Sequence, residues 1–174
     1  ALFAGTKILL PLLRKCSVGA IECICTVLVR IVIVFSRNIS NDEILSFTNT
    51  CIEDISSFAP SEACRMVARI MRTRNERVSN SMKFFQEVYT PRDIVHLSLA
   101  EPNKASVLLS LLEENVIMSG TSIATIYQPS TLANQLISIM GCTSSDLIIE
   151  TVSRILKRIC LLFHSQWFTI VNLL

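Results

Sequence analysis

Glycine and proline are scarce in this chain, four and five residues out of 174. A turn-rich all-β domain needs more of both, and the composition argues against that class. The glycines also stand apart, at positions 5, 19, 120 and 141. No G-x-x-x-x-G-K occurs, so no loop gathers backbone amides around a phosphate. Histidine is rarer still, with His96 and His164 the only two. None of the seven cysteines, at 16, 23, 25, 51, 64, 142 and 160, forms a C-x-x-C pair. A structural zinc site wants four nitrogen or sulfur ligands in close pairs, so no metal and no other cofactor is expected. Charged residues make up 17% of the chain, below the usual share of about 25%.

What is abundant is apolar: 51% of the residues are hydrophobic. A chain of this length hides roughly 70% of the surface its unfolded form exposes, enough for an ordinary core without staples. With so little charge it either buries more than usual or covers apolar faces with a partner. The net charge of +2 implies nothing by its size; only its distribution can matter. The cysteines are expected to be reduced and packed as small hydrophobes, which fits a cytoplasmic or nuclear compartment. Ala1 to Ser17 lacks the basic start and single apolar core of a secretory signal, so the sequon Asn38-Ile39-Ser40 is taken as chance. The chain opens on Ala1 rather than Met. It is read as one helical domain over 1–174, a piece of a longer chain.

The apolar periodicity is helical nearly throughout, and start signals recur. Ser40-Asn41-Asp42-Glu43 is a capping box ahead of Ile44, Phe47, Cys51 and Ile52. Pro60-Ser61 interrupts the pattern, with Ser61 placed to cap a helix holding Cys64, Val67, Ala68 and Met71. Thr90-Pro91-Arg92-Asp93 supplies a cap, a proline at the first helical position and an acid at the third. Pro102 opens a helix through Val107, Leu108, Leu111 and Leu112, and Gly120 ends it where a left-handed residue is wanted. Pro129-Ser130 opens another that Gly141 closes, and Thr143-Ser144-Ser145-Asp146 starts the last, through Ile148, Val152, Ile155 and Ile159. The expected fold class is all-α.

The breaks at Ser17, Pro60, Pro102 and Thr143 fall 43, 42 and 41 residues apart, with a second start signal inside each interval at Ser40, Thr90 and Ser130. Two helices per unit of about 40 to 47 residues is the period of HEAT and armadillo arrays. In that spacing the chain resembles a HEAT/armadillo-like α-solenoid, which implies a stack of antiparallel helix pairs. The alternative is a compact, non-repetitive helical bundle.

Residues 20–35, AIECICTVLVRIVIVF, need separate treatment. The apolar run from Val18 to Phe35 is barely long enough to span a bilayer, and it carries Glu22 and Arg30. A charge at the centre of a spanning helix costs on the order of 2.5 to 3.5 kcal/mol. The stretch is therefore read as a core helix covered on two sides, with a short strand over Ile31–Val34 as the alternative and no membrane partner.

No catalytic constellation emerges. His96 and His164 are each flanked by apolar residues and are expected within helix-packing surfaces, and Glu113-Glu114 is expected on a solvated helix face. The best functional candidate is the basic stretch CRMVARIMRTRNER, 64–77. Arg65, Arg69 and Arg72 follow i, i+4, i+7 on one face, Arg74 turns elsewhere, and Arg77 and Lys83 extend the positive region past the helix end. Arg154, Lys157 and Arg158 form a second cluster at i, i+3, i+4. At the C-terminus, Trp167 and Phe168 are candidate apolar anchors for a partner. These features point to a non-catalytic scaffold that recognises another protein, an acidic peptide or helical subunit. A helical domain binding nucleic acid through 64–77 is the alternative, disfavoured because no aromatics interleave with the arginines.

Overall fold

A computed structural model of the chain describes residues 9–35, 38–73 and 88–164. Those residues form an all-α protein, with no strand among them. The chain divides into two compact units, Ala1–Val88 and Tyr89–Leu174.

In the first unit, a helical stretch over 9–13 precedes α1 (Val18–Val34), α2 (Asn41–Glu53), a 3-10 turn (Ile55–Ser57) and α3 (Pro60–Met71). The capping box before α2 is formed as its residues imply. Glu43 N–H donates to Ser40 Oγ at 3.2 Å, and Ser40 N–H donates to Glu43 Oε2 at 3.2 Å. The backbone donor at Ser40 holds the Glu43 carboxyl below its ordinary range. Ser61 is not a cap: α3 begins one residue earlier, with Pro60 in its first turn and Ala59 before it, and no side chain caps the helix. The core joins Ile21, Cys25, Leu28, Val29 and Val32 of α1 to Ile44, Phe47, Cys51 and Ile52 of α2 and to Ala63, Met66, Val67 and Ile70 of α3. Helix α3 packs against both α1 and α2.

Helix α1 runs unbroken through Ile31–Val34, so the strand alternative is out. It is covered on one stripe rather than two. Val18, Val27, Val34 and Phe35 are exposed, Val34 by 71%. Its cysteines divide accordingly, with Cys25 buried and Cys23 exposed. Only three of the seven thiols, Cys25, Cys51 and Cys64, are packed in the core as expected of all; Cys23 and Cys142 are exposed and Cys16 and Cys160 half-buried. Burial pushes the Cys25 thiol up to about 11, and that of Cys51 higher still.

The second unit comprises α4 (Pro91–Ala100), α5 (Pro102–Ser119), a 3-10 turn (Gly120–Thr125), α6 (Pro129–Cys142) and α7 (Asp146–Leu162). Thr90 caps α4 in a reciprocal box. Asp93 N–H donates to Thr90 Oγ1 at 3.3 Å, and Thr90 N–H donates to Asp93 Oδ2 at 2.9 Å. The Thr90 hydroxyl, which also donates to Asp93 Oδ2 at 2.6 Å, and the Thr90 amide hold this carboxyl below its usual range. Gly120 ends α5 at φ 54°, the left-handed region where a Cβ is strained. Gly141 closes nothing: α6 continues through it to Cys142.

Within this unit α4 packs on α5 and α6, and α7 packs on α5 and α6. Helix α5 is buried without interruption from Ala105 to Leu112. Ser106, Ser110, Glu114 and Asn115 lie within its buried surface. The serines return their hydroxyl protons to the helix backbone, Ser106 to Asn103 C=O at 2.7 Å and Ser110 to Ser106 C=O at 3.0 Å. By length and composition Pro102–Thr125 is apolar enough to cross a membrane, and 56% of that window is buried inside the protein. Its packing against α4 and α7 is that of a core helix.

Candidate functional site

Helix α3 sorts its residues as its sequence implies. Val67, Ile70 and Met71 face the core, and Arg65, Arg69 and Arg72 lie exposed. The described helix ends at Met71, with Arg72 capping it. Arg74, Arg77, Lys83, Trp167 and Phe168 lie outside the described residues.

The arginines of this stripe reach across to α1. Arg65 Nη1 lies 3.1 Å from Glu22 Oε1 and 3.0 Å from Glu62 Oε1. Arg69 Nη1 donates to Thr26 Oγ1 at 3.3 Å. Both inter-helix contacts join residues 43 apart in sequence. The stripe thus ties α3 to α1 as well as facing solvent. With the Arg65 and Glu22 side chains 54% and 55% exposed, such a pair contributes at most about 1 kcal/mol.

The second cluster, on α7, is divided more sharply. Arg154 is clamped. Its Nε donates to Glu113 Oε1 at 2.7 Å and its Nη2 to Glu113 Oε2 at 3.0 Å, a bidentate pair with α5. Nη1 donates to Glu150 Oε1 at 2.8 Å, and Nη2 also to Thr151 Oγ1 at 3.1 Å. These carboxylates, Glu113 foremost, raise the guanidinium above its already high range. Lys157 and Arg158, by contrast, are exposed and make no hydrogen bond or ion pair with the described residues. They line a groove of about 250 Å³ with Glu113, Ile117, Arg154 and Leu161.

Glu113 and Glu114 are not a solvated pair. Their divergence on the helix sends Glu113 to the groove, half-buried, and Glu114 into the interior at 2% exposure. Glu113, expected on a solvated face, and Glu22, expected only as a charge within the apolar run, both carried a signal of their arginine partners. Each is an acid lying 41 or 43 residues before an arginine, the interval that separates the breaks. The histidines also depart from expectation. His96 on α4 and His164 after α7 are exposed rather than set in packing surfaces. Among the described residues no three His, Cys, Asp or Glu side chains gather as a metal site would need.

A wider cleft of about 650 Å³ opens beside Leu10, Pro11, Arg14, Lys15 and Asp54, where the Arg14 guanidinium sits 5.7 Å from the centre of the Phe58 ring. No protein family matches the chain, and no curated protein or solved structure is detectably similar to it.

Proposed function

We propose that the chain is a non-catalytic scaffold, a HEAT/armadillo-like stack of antiparallel helix pairs that holds another protein within a larger assembly. The observation that carries this is the spacing of its polar cross-contacts. Arg65–Glu22 and Arg69–Thr26 join residues 43 apart, and Arg154–Glu113 residues 41 apart. Helices α1, α3, α5 and α7 begin at Val18, Pro60, Pro102 and Asp146, close to the same interval. In a stack of repeats, equivalent helices of successive units lie side by side, so a residue meets the one a period further on.

The neighbour pattern of the second unit adds support. An up-and-down bundle places every consecutive pair of helices in contact, α5 with α6 included. Here the principal partners are α4 with α5 and α6 with α7 within pairs, and α4 with α6 and α5 with α7 between them. Two stacked hairpins have that pattern.

The partner would meet the exposed cations: Arg69 and Arg72 on α3, Lys157 and Arg158 on α7. Arginine suits carboxylates through its planar fork. Seven cysteines outside any disulfide suit a reducing compartment. The test is affinity capture with quantitative comparison of wild type, Arg69→Glu/Arg72→Glu and Lys157→Glu/Arg158→Glu, with circular dichroism to verify helicity. A charge-reversed protein should keep its helices and lose at least one partner. Retention of every partner by both variants would remove the basic faces from the function. Capture of nucleic acid instead, with affinity falling steeply as salt rises, would favour the nucleic-acid alternative.

A further inference from the structure

We propose that the groove between α5 and α7 takes an acidic peptide segment bearing an aliphatic side chain, with the aliphatic group against Ile117 and Leu161 and the carboxylates on Lys157 and Arg158. This rests on the scaffold proposal and names the occupant of its second basic cluster.

Size sets the first limit. At about 250 Å³ the groove falls below the roughly 300 to 1,000 Å³ of small-molecule sites. It has room for a side chain rather than a cofactor. Charge sets the second. Among the described residues, three cations and one carboxylate line the groove, but they are not equivalent. Both oxygens of Glu113 accept from Arg154, whose remaining charge is shared with Glu150. The clamp is internally satisfied, which leaves Lys157 and Arg158 as the charges facing the groove with no partner among the described residues.

The third limit is apolar. Leu161 is 65% exposed and Ile117 38%. One exposed aliphatic residue needs no explanation, but these two border the same groove as those two cations. They lie one turn beyond the clamp on α5 and two turns beyond it on α7. The Glu113–Arg154 pair fixes the two helices at the groove wall, so the peptide would meet a largely preformed surface. An acidic, aliphatic ligand satisfies every free group here. Single-stranded nucleic acid would want aromatic stacking faces, and no aromatic side chain is among the described lining residues.

Fluorescence anisotropy on the full chain tests this, using a short fluorescein-labelled peptide with Glu and Leu at helical spacing. Glu→Gln and Leu→Ser peptides, a single-stranded RNA and phosphatidylserine vesicles serve as comparison probes. The parent peptide should bind saturably and more weakly as salt rises. Lys157→Glu/Arg158→Glu should weaken it about tenfold or more. Leu161→Ser, at an exposed position that leaves the core intact, should weaken the parent peptide and leave the Leu→Ser peptide unchanged. Absence of saturable binding, binding by both variants as tight as that of the wild type, or preference for the RNA or the vesicles would overturn the proposal. If the charge-reversed chain loses a captured partner while no peptide binds, the peptide falls and the scaffold reading stands.

Discussion

Helices α1 and α5 invite comparison, because both begin at the recurring break and both are apolar. Helix α1 is the greasier, yet it buries five of its 17 residues, whereas α5 buries eleven of its 18. Helix α5 even hides Glu114 and Asn115, while α1 leaves Val27 and Val34 in solvent. Hydropathy does not decide burial here; the number of neighbours does. Among the described helices, α5 is pressed by both α4 and α7, while the main partner of α1 is α3.

That contrast can be attacked directly, and the largest effect should appear in thiol chemistry. Cys23 and Cys25 share α1 but point to its open and its packed side. In native protein Cys23 and Cys142 should react with a thiol reagent first, with peptide mapping to identify the sites. Cys51, fully buried, should wait for unfolding and lag by on the order of a thousandfold or more. Burial and a thiol raised to about 11 should hold Cys25 back as well. Equal rates for Cys23 and Cys25 would mean that α1 is not sided in solution.

Truncation sharpens the same point. Leu109→Ala, at a fully buried position, should cost about 2 to 5 kcal/mol in urea unfolding. Val27→Ala, at a position 55% exposed, should stay within about 0.5 kcal/mol. A comparable loss at Val27 would show the outer face of α1 to be covered.

Thr90→Ala should cost about 1 kcal/mol through loss of the α4 cap. The cap also carries a pH signature. The folded-state pKa of Asp93 lies below its unfolded value, so its contribution is complete above the unfolded pKa of about 3.9. It is lost as pH falls through the folded value. Asp93→Asn should flatten that part of the acid-unfolding curve. The smallest effect belongs to the clamp. A double-mutant cycle on Glu113 and Arg154, with the arginine side chain 46% exposed, should give a coupling of about 1 kcal/mol or less.

Much of the fold was legible because it is written locally. A capping box needs only residues three apart, so those at Ser40 and Thr90 could be read directly, as could the left-handed Gly120. What could not be read depends on register between helices. Glu113 looks like one of two surface acids until α7 brings Arg154 to it. Ser61 has the right chemistry for a cap, but Pro60 already occupies the first turn. The histidines sit in apolar sequence yet on outward faces, since flanking residues on a helix point elsewhere. The arginine stripe was visible as a stripe; that Arg65 is bound to Glu22 on another helix was not.

Amide exchange of the chain, alone and with its captured partner, puts the scaffold proposal to the most direct test. New protection should concentrate on α3 and α7, beside Arg69, Arg72, Lys157 and Arg158. Protection confined to α1, with α3 and α7 exchanging as in the free protein, would contradict it.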